Sequence, residues 1–356
     1  AEAIVISDTG SVAASTLSTV ASANDSGTLD ASSAGTITGT EGEITTALGS
    51  SGANSTITQA SNVALTVNSG TASLTNARTL DGLTTGVVTA TIADTRVSAL
   101  LGSTPLLDAN SNNAFTITIG TADATVTAAN LNDLNALTTV NVNAANVNTI
   151  SSSSLSDINT LYTAGGVSGL GNEGVTVSDT GSIAAGTLTT ITAANGSGTL
   201  TASAAATVTG TATEIVAALS DSTITLASDV ALTVNSGTAT LSQTRTLNSG
   251  TDGVVTATIA DTRVSDLLDG TTGLTETGGS NLYTITIGTA DAEITATNLT
   301  DLNDFTAATN GVDATNVTQI TGTVAAANAV YTAGDNSQIS GLGNETVVIS
   351  GESSNT

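Results

Sequence analysis

The chain is a tandem duplication, and any fold it adopts has to accommodate the same local signals twice. Ser-Asp-Thr-Gly-Ser stands at residues 7–11 and 178–182, and Ala-Leu-Thr-Val-Asn-Ser-Gly at 64–70 and 231–237. Ala-Asp-Thr-Arg-Val-Ser recurs at 93–98 and 260–265, and Thr-Ile-Thr-Ile-Gly-Thr-Ala-Asp-Ala at 116–124 and 284–292. Gly-Leu-Gly-Asn-Glu closes each copy, at 169–173 and 341–345. The offsets run from 167 to 172 residues, so the copies differ by small insertions only. The halves are therefore 1–174 and 175–345. Residues 346–356 read as the start of a further repeat or as a strand linking subunits, because Val347-Val348-Ile349-Ser350 resembles both Ile4-Val5-Ile6-Ser7 and Val175-Thr176-Val177-Ser178.

Each half divides again, into about six units of fewer than thirty residues. A unit opens with period-two alternation, as in residues 87–92, which predicts a strand. A polar turn follows, then a short amphipathic stretch. Val97, Leu100 and Leu101 share one face of residues 95–101, and residues 129–135 and 154–161 follow the same logic. Ser or Thr near the start of such a stretch can cap a helix, and Gly102, Gly165 and Gly334 mark unit ends. No unit of this kind buries its apolar stripe alone; stacking does so continuously. The predicted fold is a repeat solenoid, mainly β with short helices, of about twelve coils in two tandem halves. The alternative is a pair of antiparallel β-sandwich domains.

Composition narrows the chemistry. The 356 residues contain no His, Cys, Met, Trp or Lys. Triads based on His, thiol nucleophiles and zinc sites are excluded, leaving Asp, Glu and Tyr for acid–base work. A carboxylate-pair hydrolase remains formally open, yet three Tyr and two Phe are little with which to line a sugar cleft. Thirty acids against four Arg give a net charge of −26, which opposes binding to nucleic acid or to anionic membranes. No apolar run is long enough to span a bilayer. Beginning at Ala1-Glu2-Ala3, the chain reads as an exported product, and no catalytic role is expected.

Two segments carry a resemblance. Ser-Gly-Leu-Gly-Asn-Glu at 168–173 is followed by Val-Thr-Val-Ser-Asp-Thr at 175–180. Gly-Thr-Leu-Thr-Ala-Ser then leads to Val-Thr-Gly-Thr-Ala-Thr-Glu-Ile between residues 198 and 215. Both resemble the Thr/Ala/Gly-rich repeats of very large cell-surface proteins of marine cyanobacteria. The likeness covers both halves as a repeat style, and the motif at 64–70 and the Arg pairs depart from its simplest form. It implies a secreted, cell-surface or matrix role in adhesion, shielding or motility, and it transfers no catalytic residue.

The candidate sites follow the duplication. Asp8, Asp94 and Asp123, with their counterparts Asp179, Asp261 and Asp291, stand in turn-like contexts and could offer oxygen ligands to calcium, the one cofactor considered. The competing reading is that each caps its own backbone. Arg96 and Arg263 each follow an Asp by two residues, which points to ion pairs between coils. Phe115 matches Tyr283 and Tyr162 matches Tyr331, positions read as packing. Asn24 and Asn195 head two of six glycosylation sequons, which chance explains in so Asn-rich a chain.

Two functions from different classes compete. The first is an extracellular structural segment or protomer that stacks on copies of itself or on neighbouring repeats, through Ile4, Val5 and Ile6 at one end and Val347, Val348 and Ile349 at the other. The second is an adhesin that binds glycans or surfaces through loops 103–113 and 270–280.

Overall fold

A computed structural model describes residues 1–49, 56–102, 112–275 and 280–350. The chain has an α/β fold of many parallel strands in several sheets, with twelve α-helices among the described residues. The strand pairings with an assigned register are parallel. Partner residues lie between 23 positions apart, as for Leu65 and Val88, and 28 apart, as for Thr36 and Ala64. The sandwich alternative would need antiparallel neighbours joined by hairpins. A parallel pair instead needs a crossover, which the short helices and their loops provide.

Two compact units correspond to the two copies. One comprises Ala1–Thr176 with Ala194–Gly198, and the other Val177–Ala193 with Thr199–Thr356. The division falls two residues beyond the expected 174. Residues 346–349 belong to the second unit, where they form an edge strand.

In the first unit, one sheet orders Ser11–Ala13, Thr36–Gly39, Ala64–Val67, Val88–Thr91 and Ala114–Thr116. In the second, the matching sheet begins Ser182–Ala184, Thr207–Thr211, Ala231–Ser236, Val255–Thr258 and Leu282–Thr286, then adds Val312–Asp313 and Ile339–Ser340. Register explains why Val, Ile and Leu recur at fixed spacing. Val12 opposes Ile37, Ile37 opposes Leu65, and Leu65 opposes Val88. Ile183, Val208, Leu232 and Val255 make the same ladder in the second unit. All eight are buried, while the threonines between them alternate outward. The two matched aromatics stand one inward position further along the strands: Phe115 packs opposite Ala90 and Tyr283 opposite Ala257, both wholly enclosed, the large ring set beside the small side chain.

Hydroxyl side chains tie each repeat to the one before. Thr138 Oγ1 donates to the Phe115 carbonyl at 2.8 Å, and Thr306 Oγ1 to that of Tyr283 at 2.7 Å. The predicted caps are present on most helices. Thr40 with Glu43, Thr211 with Glu214 and Thr240 with Gln243 form reciprocal capping boxes. Replacing Thr211 by Ala should cost about 1 kcal/mol, read as a shift in a urea unfolding midpoint.

The amphipathic stretch at 95–101 forms one helical turn, Val97–Leu100, with Val97 and Leu100 buried and no cap from its own residues. Gly334, read as a unit end, lies inside the helix Val324–Asp335, and the left-handed residue there is Ser337.

Candidate functional site

The six aspartates are dispersed. Asp94 Oδ1 accepts from the Arg96 backbone N–H at 2.9 Å, and Asp261 Oδ1 from that of Arg263 at 2.9 Å. Asp123 Oδ2 accepts from Val97 N–H at 2.8 Å, and Asp291 Oδ2 from Val264 N–H at 3.0 Å. These last two supply, from the 3-10 turns Thr121–Asp123 and Thr289–Asp291 one repeat later, the cap that the short helices Val97–Leu100 and Val264–Leu267 lack. Asp8 and Asp179 lie in the loops before strands Ser11–Ala13 and Ser182–Ala184. No group of three or more acidic side chains placed to hold a metal ion occurs among the described residues. Arg96 does pair across repeats, its Nε lying 3.4 Å from Asp123 Oδ2 rather than beside the nearby Asp94. With the guanidinium more than half exposed, that pair contributes at most about 1 kcal/mol.

Glu173, in Gly-Leu-Gly-Asn-Glu, organises a denser arrangement. Its carboxylate accepts from the backbone N–H of Gly171 at 2.9 Å and of Asn172 at 3.2 Å, and from the Tyr162 hydroxyl at 2.9 Å. Asn195 clamps its main chain from the far side: Glu173 N–H donates to Asn195 Oδ1 at 3.0 Å, and Asn195 Nδ2 donates to the Glu173 carbonyl at 2.8 Å. Both Glu173 and Asn195 are buried. A sequon asparagine held in this way is closed to glycosylation in the folded chain. Gly196, in the left-handed region at φ 60°, turns the backbone back after Asn195.

Half of this clamp recurs at each of the other two copies of the strand. Glu2 N–H donates to Asn24 Oδ1 at 3.0 Å, and Asn24 Nδ2 to the Glu2 carbonyl at 2.7 Å, so Asn24 does for Glu2 what Asn195 does for Glu173. Asp25, at φ 55°, occupies the place of Gly196. At the other copy, the Tyr331 hydroxyl donates to Glu345, whose carboxylate also accepts from Gly343 N–H at 2.8 Å and Asn344 N–H at 3.0 Å. The sequence reading singled out Tyr162, Tyr331 and the Gly-Leu-Gly-Asn-Glu motif but took Asn24 and Asn195 for chance sequons. The signal was the longer match Asn-Xaa-Ser-Gly-Thr-Leu at 24–29 and 195–200.

The strand that follows each glutamate differs in its surroundings. Val175 and Val177 are 1% and 2% exposed, whereas Val347 and Ile349 are 38% and 43% exposed. Thr346–Ile349 pairs with Gln319–Gly322 in four registered positions, and its other edge faces outward. Ile4–Val5 pairs with Leu29–Asp30, leaving Val5 exposed and Ile4 and Ile6 half-buried.

No family model, characterised protein or solved structure matches the chain. The site is therefore judged on its chemistry. Its two glutamate carboxylates accept from backbone N–H groups and from the Tyr162 and Tyr331 hydroxyls. What it offers is an open strand edge with apolar side chains. A separate cleft of about 750 Å³ in the second unit is lined by Leu241, Ser242, Arg245, Asp261, Asp266 and Thr272. Its arginine already donates to the Thr271 carbonyl. Of the adhesin loops, residues 103–111 and 276–279 lie outside the described residues. No helix among the described residues is long and apolar enough to cross a membrane.

The clamp has a titration signature. Burial, with the Glu345 carboxylate alongside, pushes the Tyr331 hydroxyl up to about 12, and burial with Glu173 holds Tyr162 well above the ordinary phenol value. Burial raises the Glu345 carboxyl, but donation from Tyr331 and from backbone N–H groups outweighs it and leaves the group below its usual range. The stabilising effect of a neutral Tyr331 is present below pH ~10 and lost as pH rises through about 12. The Glu345 contribution is present at neutral pH and lost as acid takes the carboxyl through its lowered value. Ultraviolet titration at pH 11 should therefore show fewer ionised tyrosines in the folded chain than in denaturant, with Tyr162 and Tyr331 among those still protonated.

Proposed function

We propose that this chain is a solenoid segment or protomer of an extracellular structural protein, stacking end to end in a filament, a surface layer or a giant cell-surface protein. The observation that carries this reading is the contrast between Val175 and Val177, enclosed, and Val347 and Ile349, the same strand left bare at a sheet edge. An apolar edge strand is a template for another strand. Its natural partner here is a copy of the repeat itself, and head-to-tail contacts of that kind propagate into filaments when they do not close. Parallel register at a separation of 23 to 28 residues is what a solenoid of short coils requires. A composition without His, Cys or Lys supports a non-catalytic role, and the resemblance of the repeats supports the cell surface as its place.

Sedimentation velocity provides the test. The chain is expected to form concentration-dependent oligomers, and a chain ending at Glu345 to remain monomeric. Equal oligomers from both would refute assembly through this strand.

A further inference from the structure

We infer that the open edge at residues 345–349 accepts the Asn24–Asp30 segment of a second copy of this chain, by strand exchange. The inference rests on the end-to-end reading and names the surface that does the work. Three copies of one strand show the joint from different sides. Glu173 has a tyrosine before it, Tyr162, and an asparagine after it, Asn195. Glu345 has the tyrosine, Tyr331, and no asparagine clamp among the described residues. Glu2 has the asparagine, Asn24, and no tyrosine clamp among the described residues.

The backbone edges complement each other in the same way. In Thr346–Ile349, the N–H groups of Thr346 and Ser350 point inward, donating to Thr318 and Gly322 at 2.8 Å each. Strand alternation turns Val347 and Ile349 N–H to the open side. Their equivalents, Ile4 and Ile6, show what that side takes: they donate to the Thr28 and Asp30 carbonyls at 2.9 and 2.7 Å. The Asn-Asp-Ser-Gly-Thr-Leu loop at 24–29 is thus already shaped for a Glu-Xaa-Val/Ile-Xaa-Ile strand. Its present occupant, Ile4–Val5, is short and holds by two registered positions, whereas Thr346–Ile349 is anchored by four to its own unit. In the exchanged joint, residues 345–349 of one copy replace residues 2–6 of the next. Tyr331, Glu345 and the next copy's Asn24 then complete the clamp seen at Tyr162, Glu173 and Asn195, and Val347 and Ile349 become enclosed as Val175 and Val177 are.

The register is directly testable, because the chain has no cysteine of its own. Since Val5 opposes Asp30, Val348 opposes Asp30 in the exchanged joint. Adjacent strands place such Cα atoms about 5 Å apart, within disulfide reach. A V348C chain is mixed with a D30C chain that also carries Ile4→Pro and Ile6→Pro, which remove the two donors holding the resident strand. Oxidation should give a 348–30 heterodimer in most of the limiting chain, and Asn24→Ala in the D30C partner should reduce its yield at least about tenfold. Unaltered chains carrying the same two cysteines should reach the same dimer more slowly, which keeps the test independent of how the proline variant folds. Sedimenting oligomers with no 348–30 disulfide would overturn this interface and leave end-to-end assembly standing. Monomers with no disulfide, in both versions, would overturn both.

Discussion

Asn195→Ala is expected to destabilise the first unit by about 2–4 kcal/mol, one of the largest effects of any polar substitution in the chain. The side chain is fully buried and satisfies both the N–H and the carbonyl of Glu173 at 3.0 and 2.8 Å. Alanine leaves both groups unpaired and removes a neighbour of the Tyr162 hydroxyl, 3.2 Å from Asn195 Oδ1. Gly198 provides an independent probe of the same clamp. A Cβ there would lie 2.5 Å from the Glu173 carbonyl oxygen, so Gly198→Ala should cost about 1–3 kcal/mol through overpacking. Gly181→Ala is the control: nothing lies within 4 Å of its Cβ, and the change should be neutral or mildly stabilising. Urea unfolding followed by circular dichroism ranks the three. Equal midpoints for Gly198→Ala and Gly181→Ala would mean that the clamp is not packed as described.

The second large effect concerns association rather than stability. Val347→Lys with Ile349→Lys should weaken self-association by at least about 100-fold, because two ammonium groups would be buried without partners at the joint. The same two residues are about two-fifths exposed in the single chain, so its unfolding midpoint should move by less than about 1 kcal/mol. Analytical ultracentrifugation over a concentration series, beside a urea melt, separates the two quantities. A variant that associates like the parent would show that these side chains stay in solvent in the assembly.

Much of the fold was legible because duplication repeats each signal. The alternating run at 87–92 forms the strand Val88–Thr91, and the amphipathic stretches at 129–135 and 154–161 form helices, since period and capping agree there. The helix within residues 95–101 is one turn long and takes its cap from Asp123, one repeat later, which local pattern cannot disclose. Gly334 falls inside its helix, one residue before the end at Asp335, and Ser337 takes the left-handed turn. The aspartates were visible as turn residues, but that Asp123 and Asp291 bond to an earlier helix depends on stacking register. The clamp was half visible. Tyrosine, glutamate and the glycines stood out as a motif, whereas Asn24 and Asn195 drew attention only as sequons, because a side-chain amide bonding a backbone 22 positions away leaves no local mark.

Negative-stain electron microscopy of the purified chain tests the central claim most directly. The account predicts linear end-to-end assemblies whose length grows with protein concentration and which vanish when residues after Glu345 are removed. Isolated particles of single-chain size at every concentration would contradict it.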